Sequence, residues 1–127
     1  MKPPLFLILF AAAFSVGATP DLRADNWPNW RGPYFNGSSQ EKGFPATFSK
    51  TDGVAWKTPL PGEGASTPIV WGDAVFLTAA NESQDAILAM RLSAKTGEIL
   101  WSKPLGKGVR IDERSTFAGA SAVTDGS

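Results

Sequence analysis

From Val54 onward the chain is cut into short apolar runs by Gly, Pro, Asp and Asn, and no other property restricts its fold so tightly. Such punctuation stops a helix before it completes many turns and suits strands joined by tight turns. The runs predict strands at 54–58, 67–71, 74–79, 86–92 and 98–102. Gly72-Asp73 is the two-residue loop of a hairpin, 81–85 is a polar turn, and Ser93 to Gly97 is a tight turn whose glycine takes a positive φ. Helix is the rival over 86–95, where Ala, Leu and Met propagate helices well. Taken in order, the strands between 67 and 102 form one four-stranded antiparallel meander, so the expected class is all-β, with a unit the size of a propeller blade.

Composition removes several functions. Lys plus Arg and Asp plus Glu number 12 each, so the formal net charge is zero and a nucleic-acid binder built on bulk charge is excluded. Cys and His are both absent. That excludes disulfides, zinc sites built on those ligands, thiol nucleophiles and imidazole bases.

Residues 1–18 open with Lys2, continue through the apolar run Leu5 to Val16 and close on the small residues Gly17 and Ala18. This is the pattern of a secretory signal peptide. The run is too short for a membrane anchor, which needs about 20 residues. No Cys follows it to carry a lipid. The expected location is therefore periplasmic or secreted, with no transmembrane segment after cleavage.

Residues 19–53 form an N-terminal aromatic segment, in which Trp27, Trp30, Tyr34 and Phe35 alternate with Pro28, Gly32, Pro33 and Asn36-Gly37. Such rings are expected to clamp an ordered loop to a core, with a ligand cage as the rival reading. Residues 54–127 hold the meander and the start of a second unit. Trp56-Lys57-Thr58-Pro59-Leu60 matches Trp101-Ser102-Lys103-Pro104-Leu105 at Trp, Pro and Leu, 45 residues apart. Thr67 to Gly72 matches Ser121 to Gly126 at an offset of 54, and an insertion after Leu105 accounts for the difference. A period of about 40 to 50 residues is that of propeller repeats.

The stretch Leu92 to Trp101 resembles the tryptophan-docking repeat of the PQQ-like β-propellers, the quinoprotein alcohol dehydrogenase-like superfamily, in the form Ala-x-Asp-x-x-Thr-Gly-x-x-x-Trp. Thr96, Gly97 and Trp101 match, whereas Arg91 stands for the Ala and Ser93 for the Asp. Trp56 with Pro59-Leu60-Pro61-Gly62, Ser66 to Val70, Gly72-Asp73 and Trp30-Arg31-Gly32-Pro33 are also similar to that family. The resemblance implies an indole from one blade packing on its neighbour, so Trp56, Gly72, Thr96, Gly97 and Trp101 are assigned structural repeat roles. It further implies that a closed ring needs more blades than this chain supplies. The chain is then expected to be the N-terminal part of a longer protein, prone to self-association when alone.

Chemistry is sparse. The calcium ligands, catalytic Asp and adjacent cysteines that hold a quinone in dehydrogenases of this superfamily have no counterparts here, so PQQ and calcium are expected only if other blades supply them. Asp112-Glu113 between Arg110 and Arg114 is the nearest thing to an acid/base pair, with a solvated loop as the favoured reading. The oxygen-rich run Asn81 to Asp85 lacks the Gly and terminal Glu of a calcium loop. Gly62-Glu63-Gly64 is not followed by the Gly-Lys-Ser/Thr of a phosphate loop. The sequence therefore points to a non-catalytic binding or assembly scaffold with a protein or small-molecule partner; the alternative is a PQQ-dependent alcohol or sugar dehydrogenase whose site lies in other blades. Neither catalytic nor cofactor-binding residues are assigned.

Overall fold

The computed structural model describes residues 25–107 and 118–126. The expected signal peptide at 1–18 and the Asp112-Glu113 pair lie outside them. Four strands, β1 (Ile69–Trp71), β2 (Ala74–Asn81), β3 (Ala86–Ser93) and β4 (Ile99–Lys107), form one antiparallel sheet in the order of the chain. The described residues contain no α-helix, only a 3-10 turn at Glu82–Gln84. The all-β class and the meander are therefore as the punctuation predicts.

Each connection is made by the residues that allow it. Gly72, at φ 58°, and Asp73 join β1 to β2, with Trp71 opposite Ala74. Asp85 closes the next turn in the left-handed region at φ 48°, a conformation that Asp tolerates better than most residues. The helix rival over 86–95 fails because β3 has a period of two: Ala86, Leu88, Met90 and Leu92 are buried, while the residues between them are half-buried. A helix would spread those four side chains around its circumference, whereas a strand aligns them on one face.

That face is the core. Val75, Leu77 and Ala79 of β2 stand opposite Leu92, Met90 and Leu88 of β3, and Trp56, Val70 and Ala94 pack on the cluster. Each large side chain fully removed from water contributes about 1.5–3 kcal/mol, and Met90 is 1% exposed and Leu92 2%. The second face carries Phe76, Thr78, Ala89, Arg91, Trp101 and Lys103, all on one side by register. Residues 118–126 lie against part of it: Thr78 Oγ1 donates to the carbonyls of Ala118 and Ala120, at 3.0 and 3.1 Å.

The expected strand at 54–58 is not formed. Its alternation is real, but its backbone joins no ladder; the Trp56 and Thr58 side chains hold it instead, through bonds to the turn between β3 and β4. The expected strand at 67–71 shortens to β1 because Thr67 donates its N–H to Ser121 Oγ, at 2.8 Å, rather than to a strand. Conversely β4 runs five residues past its expected end, through Pro104, by bulging at Leu100 and Leu105 where the register with β3 shifts.

Met90→Ala should lower the unfolding free energy by about 2–5 kcal/mol through the cavity left between the strands. Lys103→Ala, on the exposed strand, should change it by less than about 0.5 kcal/mol. Urea denaturation followed by far-UV circular dichroism measures both, and equal losses would contradict this assignment of the core.

Candidate functional site

The turn between β3 and β4 is a compact acceptor. Ser93 Oγ accepts the Thr96 N–H at 3.2 Å, Gly97 N donates to the Ser93 carbonyl at 2.8 Å, and Ser93 N donates to the Glu98 carbonyl at 2.9 Å. Ala94 N is held from the other side by the Asp73 carbonyl at 2.8 Å, which ties this turn to the β1–β2 turn. Ser93 thus makes with a hydroxyl the bond that a carboxylate at its position would also accept. Thr96 Oγ1 in turn accepts the Glu98 N–H at 3.3 Å.

Trp56 docks on this turn. Its Nε1 donates to the Ala94 carbonyl at 2.8 Å, and Thr58 Oγ1 donates to the Gly97 carbonyl at 2.6 Å. The ring lies so close over Gly97 that a Cβ there would come within 2.4 Å of Trp56 Cε3. Gly97 also has φ +72°, so a side chain is excluded twice, by backbone conformation and by the indole. Of the five repeat residues named from the sequence, the structure brings three together here: Trp56 and Gly97 in contact, and Thr96 beside them in the same turn.

Trp101 lies elsewhere. It projects from β4 onto the second face, where its ring is 6.2 Å from that of Phe76 and Lys103 Nζ sits 5.5 Å from its centroid. Among the described residues the Trp101 indole N–H has no acceptor, in contrast to that of Trp56. In the register row Phe76–Arg91–Trp101 the central Arg91 reaches Asp73 at 3.5 Å, while its Nε is buried with no hydrogen-bond partner. An apolar gap of about 430 Å³ remains between Phe76, Ala89, Trp101 and Leu105 on the sheet and residues 120–124.

Gly72 performs its turn at the same end of the sheet, in the β1–β2 hairpin that the Asp73 carbonyl ties to the β3–β4 turn. The sequence match between Gly72 and Gly126 extends to conformation, since Gly126 has φ +88°. The Trp71 ring abuts Gly126, a contact that sequence reasoning missed, although the Thr67 to Gly72 match with Ser121 to Gly126 was the signal for it.

The aromatic segment divides. Trp27 clamps as expected: it exchanges both backbone bonds with Val70, at 2.8 and 3.0 Å, and its ring covers Gly32. Trp30, Tyr34 and Phe35 do not, being 64%, 50% and 67% exposed. The loop is set by buried Asn29, whose Nδ2 donates to the Gly32 carbonyl and whose Oδ1 accepts the Arg31 N–H. With the loop backbone fixed by Asn29 and by Trp27, the rings of Trp30, Tyr34 and Phe35 are left without a core to enter. The turn at Asn81 to Asp85 is closed by its own bonds, Ser83 Oγ to Asn81 Oδ1 at 2.7 Å and Asp85 N to the Glu82 carbonyl at 3.2 Å. Among the described residues no three acidic side chains gather to hold a metal, and no helix is long and apolar enough to cross a membrane.

Compared with protein-family profiles, curated proteins and solved structures, the chain matches none.

Gly97→Ala should destabilise the chain by about 2 kcal/mol or more, since it combines a left-handed non-glycine residue with a clash against Trp56. Thr58→Val should cost only about 1 kcal/mol, the net worth of one hydrogen bond. Thermal melts of the two variants test the order, and a Gly97→Ala protein as stable as the wild type would remove the ring from this turn.

Proposed function

We propose that the chain is an exported repeat protein of the β-propeller type, akin to the PQQ-like repeat proteins, whose sheet works as a non-catalytic unit of binding or assembly. One observation supports this above the others: the first of two repeated tryptophan segments sits by its indole on a Thr-Gly turn, and the second carries the same Trp-x-x-Pro-Leu pattern on an outward strand. A segment that completes a neighbour's surface instead of its own sheet is the arrangement on which stacked repeats depend. The match of Gly72 with Gly126 in both sequence and φ supports the same reading. In this account the second face, with Phe76, Trp101 and Leu105, receives the next unit or a partner, and Thr96 and Gly97 serve architecture rather than chemistry.

Export is tested by expressing the chain with its leader in a bacterial host and sequencing the N terminus of the periplasmic product. Thr19 should be the first residue, and retention of Met1 on a cytoplasmic product would end the export reading. The scaffold reading is tested by titrating the exported protein with PQQ and calcium while following cofactor absorbance and dye reduction by simple alcohols. No saturable binding and no turnover are expected; binding with turnover would transfer the assignment to a quinoprotein dehydrogenase.

A further inference from the structure

Asn36 differs from the other asparagines in what lies beside it. It is exposed, and the residue after it is Gly37, at φ +78° with no atom within 4 Å of where a Cβ would stand. Its side-chain carbonyl oxygen, Oδ1, accepts two bonds from Ser38, one from the backbone N–H at 2.9 Å and one from the hydroxyl at 2.7 Å. Asn81 accepts a similar bond from the Ser83 hydroxyl at 2.7 Å, but Glu82 follows it. Trp27 follows Asn26, and Trp30 follows Asn29, which is 5% exposed and engaged at both ends of its amide. Asn36 alone combines a doubly bonded amide carbonyl with an unhindered peptide nitrogen on the next residue.

We propose that Asn36 is a self-modifying site, at which the backbone nitrogen of Gly37 displaces the side-chain amide and leaves an acidic residue. The Gly37 nitrogen gives up its proton and forms a bond to Asn36 Cγ. The Cγ–Nδ2 bond breaks, and Nδ2 leaves as ammonia with that proton, closing a succinimide ring. One water then opens the ring: at the side-chain carbonyl it gives aspartate, and at the main-chain carbonyl it gives isoaspartate. Negative charge gathers on Oδ1 as Gly37 attacks, and both Ser38 donors already point at that atom, the arrangement that stabilises a developing oxyanion. The missing Cβ of Gly37 leaves its nitrogen open to the approach. One contact opposes the step, since the Gly37 N–H donates to the Arg31 carbonyl at 2.8 Å and must first be released. Loss of a single neutral bond delays the reaction by about two- to tenfold. Two bonds to a charging oxygen, each roughly twice as strong as a neutral one, outweigh it. The product gives a chain of zero formal charge one more negative group, and isoaspartate adds a main-chain carbon to the loop that the Arg31–Gly37 bond closes.

The test incubates the purified chain in mildly alkaline buffer, digests it with trypsin and follows by mass spectrometry the peptide of residues 32–42, in which Asn36 is the sole asparagine. A synthetic peptide of the same residues is the unfolded reference. Asn36 should convert to aspartate and isoaspartate together, while Asn26, Asn29 and Asn81 stay intact. Ser38→Ala should slow conversion in the folded chain at least about threefold, the share of one hydrogen bond, and leave the rate in the synthetic peptide unchanged. Ser38→Thr keeps the hydroxyl and should restore the wild-type rate. Asn36 still intact in the chain after the synthetic peptide has converted would overturn the proposal. So would a Ser38→Ala chain that converts as fast as the wild type, an equal slowing by Ser38→Ala in the peptide, or equal conversion at Asn81.

Discussion

The fold depends on one indole placed over one glycine. A four-stranded sheet buries its apolar face only if something lies across it, and here an irregular segment with few backbone bonds of its own does so. Trp56 resolves this by combining a large ring, which joins the Val75–Met90–Leu92 cluster, with a single N–H aimed at Ala94. The turn that receives it is already fixed by Ser93, Thr96 and the Asp73 carbonyl, so the ring meets a prepared surface. Lid, core and turn are therefore one cooperative unit, although they are far apart in sequence.

The two faces divide the sheet's duties. The face under Trp56 is closed by Leu, Met and Val, with Lys107 at its margin opposite Ala86. The other mixes Phe76 and Trp101 with Arg91 and Lys103, and a segment more than ten residues beyond β4 covers only part of it. An arginine with a buried, unbonded Nε, standing in register between Phe76 and Trp101, is an unusual choice for a half-covered face. Its ion pair with Asp73 is long and solvent-facing, so the pair contributes little to stability.

Most of this architecture was legible in the residues. β2 and β3 and all three turns follow from glycine, aspartate and a period of two, signals that act over a few residues and survive any tertiary context. The segment at 54–58 was misread because alternation reports which side chains face inward and is silent on whether the backbone has a ladder partner. Only the distant turn decides that. β4 was cut short for a related reason: Pro104 ordinarily ends a strand, but at a sheet edge a bulge accommodates it. In the aromatic loop one role is expected for all four rings, whereas only Trp27, whose backbone pairs with Val70, is clamped, and Trp30, Tyr34 and Phe35 are exposed. Trp101 shares the Trp-x-x-Pro-Leu pattern of Trp56 yet lies on β4 with its ring beside Phe76, and local sequence does not encode that difference in surroundings.

The edges of the sheet carry a final consequence. On the β1 side Trp27 already occupies both hydrogen-bonding groups of Val70. On the β4 side two bulges, a proline without an N–H, and Lys103 and Lys107 break the regular row of donors and acceptors. Sideways accretion of strands, the route by which exposed sheets polymerise into fibrils, is thus obstructed at both margins by different devices. What meets this molecule must then read its side chains rather than its backbone, and backbone pairing accepts almost any sequence whereas side-chain fit does not.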